Sequence, residues 1–594
     1  MALLAHGCTK VLFEIMTEEC TADNGRPGNA QPSQFPRAVL LASVLAGAVL
    51  GTFQIANTSI GWHLASGRWI VQNLAFLRSD PFSFTAAGVP WIDHEWIFQV
   101  VVAVADAAAG APLLVVLRAA VVAIMAVLLL VIGVRSGLSP GVALLLSVLC
   151  ICGARPRFFL RPELVTLLVV PTVVWIFLSR AERRSPAWLA AVAGLVVLGV
   201  NAHGGVLVVP FLLAGLLAAE ALQMAVTGTW TLRPIVTGAS AVAVAGVAVL
   251  VNPYGWRLYT VPFHLARLVG QPHIPNPEWV PASFAQTPFL FIAILLGLLL
   301  LGLYERRAER WLLLLMAAAL ALRHVRNLGL FFVLLPLAIA PALARWPALA
   351  APARKDDPRS RRVQALAVVL SLVLAASLAA APWPRFGFGF AENYFPEEAC
   401  SFLERERLPG ARLYNDVRFG GYLINRYFPS RGVFLDDRNE IHEPLLRRFW
   451  EIFQRSDVEG WEALLAQFEI DSALVRYHPT TRVRTPDGED LGERGFSALW
   501  FPARDWALVY WDDVAMVLVR RNAAPDGLLE RTEYHVLRPD DFAHLEARLV
   551  AEPTLRPTAS AELRRALAAN PGSERARRMA VYLGALNPDP LTDP

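Results

Sequence analysis

Between Ala38 and Ala381 apolar stretches alternate with short polar ones. The apolar stretches run at 38–56, 92–108, 112–134, 140–153, 163–179, 187–200, 204–224, 234–252, 287–304, 311–322, 328–344 and 363–381. About 20 apolar residues cross a hydrocarbon core of ~30 Å as a helix, so this repetition predicts many spans and excludes a single anchor. Two places break the pattern. The stretch Gly61 to Gln99 holds Trp62, His63, Arg68, Arg78, Asp80, Trp91, Asp93, His94, Glu95 and Trp96, too much polarity for lipid. At Pro382 the sequence PWPRFGFGF opens a Pro/Gly/aromatic linker, and beyond it apolar and polar positions mix as in a soluble domain. The division that follows is an N-terminal cytoplasmic segment 1–36, a transmembrane domain 37–381 with a large outer loop 57–111, a linker 382–395, an extracytoplasmic α/β domain 396–525 and a helical tail 526–594. Lys10, Glu14, Glu18 and Glu19 interrupt any signal-peptide core, so the first apolar run reads as an uncleaved span.

In the soluble part the pattern predicts a helix over PEEACSFLERE from Pro396 and a strand over ARLYND ending near Asp416. RGVFLDD (431–437) reads as a buried strand, and LLRRFWEIFQ and WEALLAQFEI read as helices. SALVRY reads as a short strand, and WALVYWDDVAMVLVRR (506–521) as a hairpin turning at Asp512 and Asp513. ANPGSERARRMAVYLGAL has the look of half a helical-repeat hairpin; one such unit makes no solenoid, so it reads as a capping tail.

Composition agrees with a lipid-solvated chain: 55% of the 594 residues are hydrophobic and only 18% are charged. A formal charge of +4 without a Lys-rich helix, zinc-type spacing or RNA-binding aromatic motif argues against nucleic acid as a partner. The five cysteines form no disulfide framework, and Cys150-x-Cys152 in an apolar run reads as packing. Arginine placement orients the chain. Arg180, Arg183, Arg184, Arg233, Arg306, Arg307, Arg310, Arg345, Arg354, Lys355, Arg359, Arg361 and Arg362 fall in one set of loops. They outnumber Arg155, Arg157, Arg161, Arg257, Arg267, Arg323 and Arg326 in the alternate set. Cytoplasmic loops carry the excess, which puts the C-terminal domain outside. Eleven spans, with 92–108 interfacial or re-entrant, then put the loop 57–111 outside as well.

The motif-like loops share that outer face: ARPRFFLRPE (154–163), NAHGG (201–205), NPYGW to NPEW (252–279) and RHVRN (323–327). Asp93 and Glu95 bracket His94 at the start of an apolar helix, where burial raises a carboxylate towards use as a base; the plainer reading is an interface-facing helix start. Asp80 begins a D-P turn and is either a catalytic acid or the acid of that turn. Arg155, Arg157 and Arg161 are placed against the charge trend; a planar guanidinium fits phosphate oxygens, and snorkelling to lipid headgroups is the alternative. Arg323 and Arg326 pose the same choice. His63, His203 and Glu278 are further candidates for binding, with structural roles equally open. Asp436, Asp437 and Arg438 follow an apolar run; acceptor recognition or bracing of the assembly is the expected role there.

The series GWHLASGRWI…RSDPFSFTAAGVPWIDHEW, ARPRFF, NAHGG, NPYGW…EW and RHVRN resembles bacterial members of the GT-C superfamily, over roughly residues 38–344. These are multi-spanning glycosyltransferases that use polyprenyl-phosphate sugars, including the protein mannosyltransferase and aminoarabinose transferase relatives. The resemblance implies a large acidic first outer loop and a helical bundle that binds the lipid carrier. It implies transfer of a sugar from a polyprenyl-phosphate donor to an envelope glycan, lipid or protein acceptor, in a bacterial inner membrane, among membrane lipids. Asp80, Asp93 and Glu95 would act as base or as ligands of a divalent metal ion, and the arginines would hold phosphate. One departure stands out: where the resembling sequences often carry an acid just before the Trp-His pair, this chain has Asn57-Thr58-Ser59. A non-catalytic envelope-assembly scaffold with the same fold is therefore a second expectation, and a lipid-linked saccharide transporter a third.

Overall fold

The structure, a computed structural model, describes residues 36–179, 187–268, 270–274, 276–351, 358–382, 384–408, 412–484 and 490–586. The expected segment 1–36 lies outside them except for Pro36, as do Arg180, Arg183, Arg184, Arg354 and Lys355 of the basic loops.

Each apolar stretch becomes helix. With two further helices outside those stretches, Ile60–Asn73 in the expected outer loop and Val261–Leu268 after NPYGW, the order is α1 (Arg37–Gly51), α2 (Ile60–Asn73), α3 (Trp96–Arg135), α4 (Pro140–Ala154), α5 (Glu163–Leu178), α6 (Ala187–Val200) and α7 (Val208–Thr227). They continue with α8 (Leu232–Val249), α9 (Val261–Leu268), α10 (Pro288–Tyr304), α11 (Ala308–Arg323), α12 (Leu328–Leu343) and α13 (Pro358–Ala379). Among the described residues, 6 helical stretches are long and apolar enough to cross a membrane, and α1, α5, α6 and α10 are shorter apolar helices beside them. This is a multi-pass membrane protein. The expected segments 92–108 and 112–134 are the two arms of α3. Ala109 and Gly110 leave helical geometry between them, and Pro112 follows. The first arm begins at Trp96 rather than at Ile92, because Ile92–Glu95 belongs to the loop. Arg118, 1% exposed in the second arm, donates from Nε to the Gly51 carbonyl at 2.8 Å and from its guanidinium to the Phe53 carbonyl. The carbonyls freed at the end of α1 are thereby satisfied inside the bundle.

Beyond the linker come α14 (Glu397–Arg405), β1 (Leu413–Asn415), α15 (Val417–Tyr427), α16 (Asn439–Arg455), α17 (Val458–Gln467) and β2 (Ser472–Arg476). Then follow β3 (Thr481–Arg484), β4 (Asp490–Arg494), β5 (Trp506–Trp511) and β6 (Ala515–Arg520). The main sheet has the order β1-β2-β6-β5, with β1 parallel to β2 and the other pairs antiparallel. The hairpin turns where the sequence indicates, because Asp512 Oδ1 accepts the amides of Val514 and Ala515 at 2.7 and 2.8 Å.

One expectation needs correction. RGVFLDD is no strand of this sheet. The side chain of Asn415 holds it instead, accepting from the Phe434 amide at 2.9 Å and donating to the Leu435 carbonyl at 2.8 Å. Its backbone pairs with the outer loop: the Val433 amide donates to Phe82 at 3.0 Å, and the Phe84 amide donates to Val433 at 3.1 Å. The tail packs on the C-terminal domain. From its helices α18 (Phe542–Ala551), α19 (Arg556–Ala569) and α20 (Glu574–Leu586), residues Leu549, Leu563 and Met579 join one core with Tyr414, Trp461 and Trp506.

The loop and the C-terminal domain are built around a shared core. Trp62, Leu77, Phe82 and Trp91 pack with Phe402, Phe419, Leu423 and Val433. Each large apolar side chain withdrawn from water in this way stabilises by about 1.5–3 kcal/mol. What reads in sequence as a polar interruption is therefore half of a hydrophobic core.

Candidate functional site

Arg438 locks the junction. It is 1% exposed and ion-pairs with Asp80 from the loop at 2.9 Å and with Asp436 from its own domain at 2.5 Å. Its guanidinium stacks over Trp91, Phe82 and Trp62, at 4.7, 5.1 and 5.8 Å from the ring centroids. His442 Nε2 adds a contact to Asp436 at 3.1 Å. Arg438 and His442 hold the Asp436 carboxyl well below its usual range, although burial alone acts the other way. Asp80 also accepts the amides of Phe82 and Ser83 at 3.0 and 3.1 Å. Of the two readings open for Asp80, the geometry shows the turn acid: every contact is internal.

Beside this junction the motif loops converge. Trp96 Nε1 donates to Asn201 Oδ1 at 2.8 Å, and the Ile97 amide donates to the Asn201 carbonyl at 3.0 Å, which ties DHEW to NAHGG. Gly204 makes the approach possible, since a Cβ there would lie 2.8 Å from His94 Nε2. Glu95 stands at the centre, with 16% of its side chain accessible. Around its carboxylate are His94 Nε2 at 3.7 Å, His63 Nδ1 at 3.8 Å and His203 Nε2 at 3.9 Å. Burial, and then the charge of Glu440, push the Glu95 carboxyl up to about 8. His63 and His203 are held well below the usual histidine range, first by burial, then by Arg161 for His63 and by Arg326 for His203. Asp93, 1% exposed, lies behind Glu95 and accepts from Gln99 Nε2 at 2.5 Å; burial, then Glu95, push its carboxyl up to about 7.

The three arginines expected as one cluster do not act together. Arg157 is buried against Glu163 and reaches Glu278 at 3.2 Å, and Arg161 also pairs with Glu278. Arg155 turns away to Phe53, 5.8 Å from the ring centroid. Glu278 is therefore a partner of arginines. Burial would raise its carboxyl, but Arg161 and then Arg157 outweigh it and hold the group down to about 2. Arg326 lies 4.4 Å over the Trp279 ring, with Glu163 and Glu278 nearby and no acid at ion-pair distance among the described residues. It is the cation of the site best placed to meet an incoming anion. Arg323 is exposed and stands apart from these contacts.

Sequence reasoning missed Glu163 and Glu440 as members of the site, and expected of Asp437 only acceptor recognition or bracing. Asp437 Oδ2 accepts from Thr58 Oγ1 at 2.7 Å, and its Oδ1 accepts from Trp62 Nε1 at 2.8 Å. The one signal for it was an acidic pair after an apolar run, which carries no information about its distant partner.

No protein-family model matches the chain, and no curated protein matches it. Solved structures do. One is the archaeal oligosaccharyltransferase AglB from Archaeoglobus fulgidus in complex with an inhibitory peptide and a dolichol-phosphate. It matches over 78% of this chain and 76% of its own, at 11% identity and a TM-score of 0.50. The Archaeoglobus fulgidus oligosaccharyltransferase tethered with an acceptor peptide matches over 79% and 77%, at 11% identity and a TM-score of 0.50. The chain has the GT-C fold. The arabinofuranosyltransferase AftD from Mycobacteria is also found, over 82% of this chain and 40% of its own, at 14% identity and a TM-score of 0.46.

Proposed function

We propose that the protein is a membrane glycosyltransferase that moves a sugar from a polyprenyl-phosphate donor to an envelope glycan, lipid or protein acceptor. It works at the outer face of a bacterial inner membrane, with its C-terminal domain extracytoplasmic. The observation that carries this reading is the placement of an acidic group, Glu95, ringed by His63, His94 and His203, within electrostatic reach of Arg326 and Arg161 where the motif loops meet. Transfer from a phosphate needs both: a carboxylate near the acceptor, and fixed positive charge where the phosphate departs. The GT-C fold and the dolichol-phosphate seen in AglB support a lipid-borne donor.

A divalent metal ion belongs to the proposal. Among the described residues no group of three or more His, Cys, Asp or Glu side chains is arranged to hold one; what supports the ion is only the kind of donors gathered around Glu95. His94 Nδ1 contacts the Ile92 carbonyl at 3.2 Å, which leaves its Nε2 lone pair towards Glu95. His63 Nδ1 is buried without a hydrogen-bond partner. Glu95, His63 and His94 would hold the ion, which when bound supplies positive charge for the departing phosphate. Asp80 and Asp93, both buried, brace the loop.

The test uses cells lacking the chromosomal copy. Deletion is expected to raise the pool of polyprenyl-phosphate-linked saccharide in membrane extracts. Wild-type protein is expected to clear that pool, and Glu95→Gln to leave it raised with undiminished folded protein. Clearance by Glu95→Gln would remove the catalytic reading and favour the scaffold that Asn57-Thr58-Ser59 suggests.

A further inference from the structure

The C-terminal domain meets α2 at close quarters. Three glycines allow it. A Cβ on Gly61, in α2, would lie 2.0 Å from the Gly421 carbonyl oxygen, and a Cβ on Gly421, in α15, would lie 2.2 Å from that of Thr58. A Cβ on Gly420 would lie 2.2 Å from the Leu435 carbonyl oxygen. The backbones of α2, α15 and the segment leading to Asp437 are therefore in direct contact. Bracing alone is already provided by Arg438 and the shared apolar core. The added effect of the three glycines is to deliver the side chain of Asp437 to Thr58 and Trp62.

Asp437 differs from the other acids at this junction. Asp80, Asp93 and Asp436 are each 2% exposed or less, and Asp80 and Asp436 are tied to Arg438. Asp437 is largely buried but not sealed, and among the described residues no cation stands at ion-pair distance from it. A carboxylate offers about four lone-pair sites. Thr58 and Trp62 occupy one on each oxygen, which fixes the group and leaves the remainder open. Both donors favour its charged form.

We propose that Asp437, brought in by the C-terminal domain, is the carboxylate that accepts the acceptor's proton, and that Thr58 and Trp62 are its positioning residues. The proposal rests on the glycosyltransferase reading above and gives that reading its base. The acceptor's O–H proton passes to an open oxygen of Asp437 as the acceptor oxygen bonds to the sugar's anomeric carbon. The bond from that carbon to the phosphate oxygen breaks, and its electron pair leaves on the polyprenyl phosphate, facing Arg326. Proton, sugar and lipid phosphate are thereby all accounted for, with no further reactant. Burial, and then the charge of Asp436, raise the proton affinity of Asp437 above that of a surface carboxylate, which favours this use.

The same pool of polyprenyl-phosphate-linked saccharide in deletion cells reads the outcome, with folded protein followed by size-exclusion of detergent extracts. Asp437→Asn keeps the shape and removes the base. It is expected to fold and to lower clearance about 100-fold or more, within the range for loss of a positioned base. Thr58 Oγ1 lies 2.7 Å from the lost oxygen, so adding Thr58→Asp to Asp437→Asn returns a carboxylate to the same point. The folded double variant is expected to recover at least about 10-fold over Asp437→Asn. Wild-type clearance by Asp437→Asn, or a folded double variant no better than the single one, overturns the proposal. Glu95→Gln, run alongside, separates the two levels. If it alone fails to clear the pool, only the assignment of Asp437 falls; if it too clears the pool, the glycosyltransferase reading itself falls.

Discussion

At the scale of single residues, charge here is decided by partners that sequence does not reveal. Arg155, Arg157 and Arg161 look equivalent in the chain. One stacks near Phe53, and the other two meet Glu278 from more than a hundred residues away. Glu278 yields a pH prediction. Its carboxyl is held near 2, against an ordinary 4.5. A lowered pKa in the folded state means that its contribution to stability is complete above about 4.5 and is lost as pH falls towards 2. Melting temperatures of detergent-solubilised protein should fall across that window, and Glu278→Gln should start lower at neutral pH and show a shallower fall. Asp80 makes the same point about legibility. The D-P turn was readable, since a short-range acid satisfies nearby amides in many folds, but Arg438 as its partner was not.

At the scale of elements, the apolar helices were legible because lipid imposes a length and a composition on each segment separately. All twelve stretches became helix, and even the break at Ala109–Gly110 falls between two of them. RGVFLDD was misread because an apolar run of that length fits a strand in general, whereas its backbone partner turned out to be Phe82 in a distant loop. The FGGYL stretch (419–423) gains its meaning from the crossing of α15 with α2. Gly421→Ala should disrupt that crossing, because its Cβ would fall 2.2 Å from the Thr58 carbonyl oxygen. Relieving such a clash costs about 1–3 kcal/mol or more. Faster protease cleavage in the linker 382–395 is expected, together with loss of saccharide clearance. Unchanged cleavage would show that the crossing tolerates the methyl group.

At the scale of the whole molecule, membrane and soluble parts form one structure rather than an enzyme with an appendage. Trp62, Phe82 and Trp91 depend on the C-terminal domain for their burial, and Arg438 neutralises acids from both sides. Ending the chain at Ala381 should therefore leave an apolar loop surface exposed. Monodisperse protein recovered in detergent should fall about 10-fold or more, as measured by size-exclusion. A truncated protein that is monodisperse at normal yield would show that the loop folds alone. The sequence by itself determined the membrane class, the helices and their order, the soluble domain and the hairpin at Asp512. Each of these follows from local periodicity and from the solvent around each segment. Only the tertiary structure decided that Glu95 is ringed by three histidines, that Asp80 is sealed, that Arg326 has no acid at ion-pair distance among the described residues, and that Asp437 reaches Thr58. Those facts depend on contacts between residues far apart in the chain, and no local pattern encodes them.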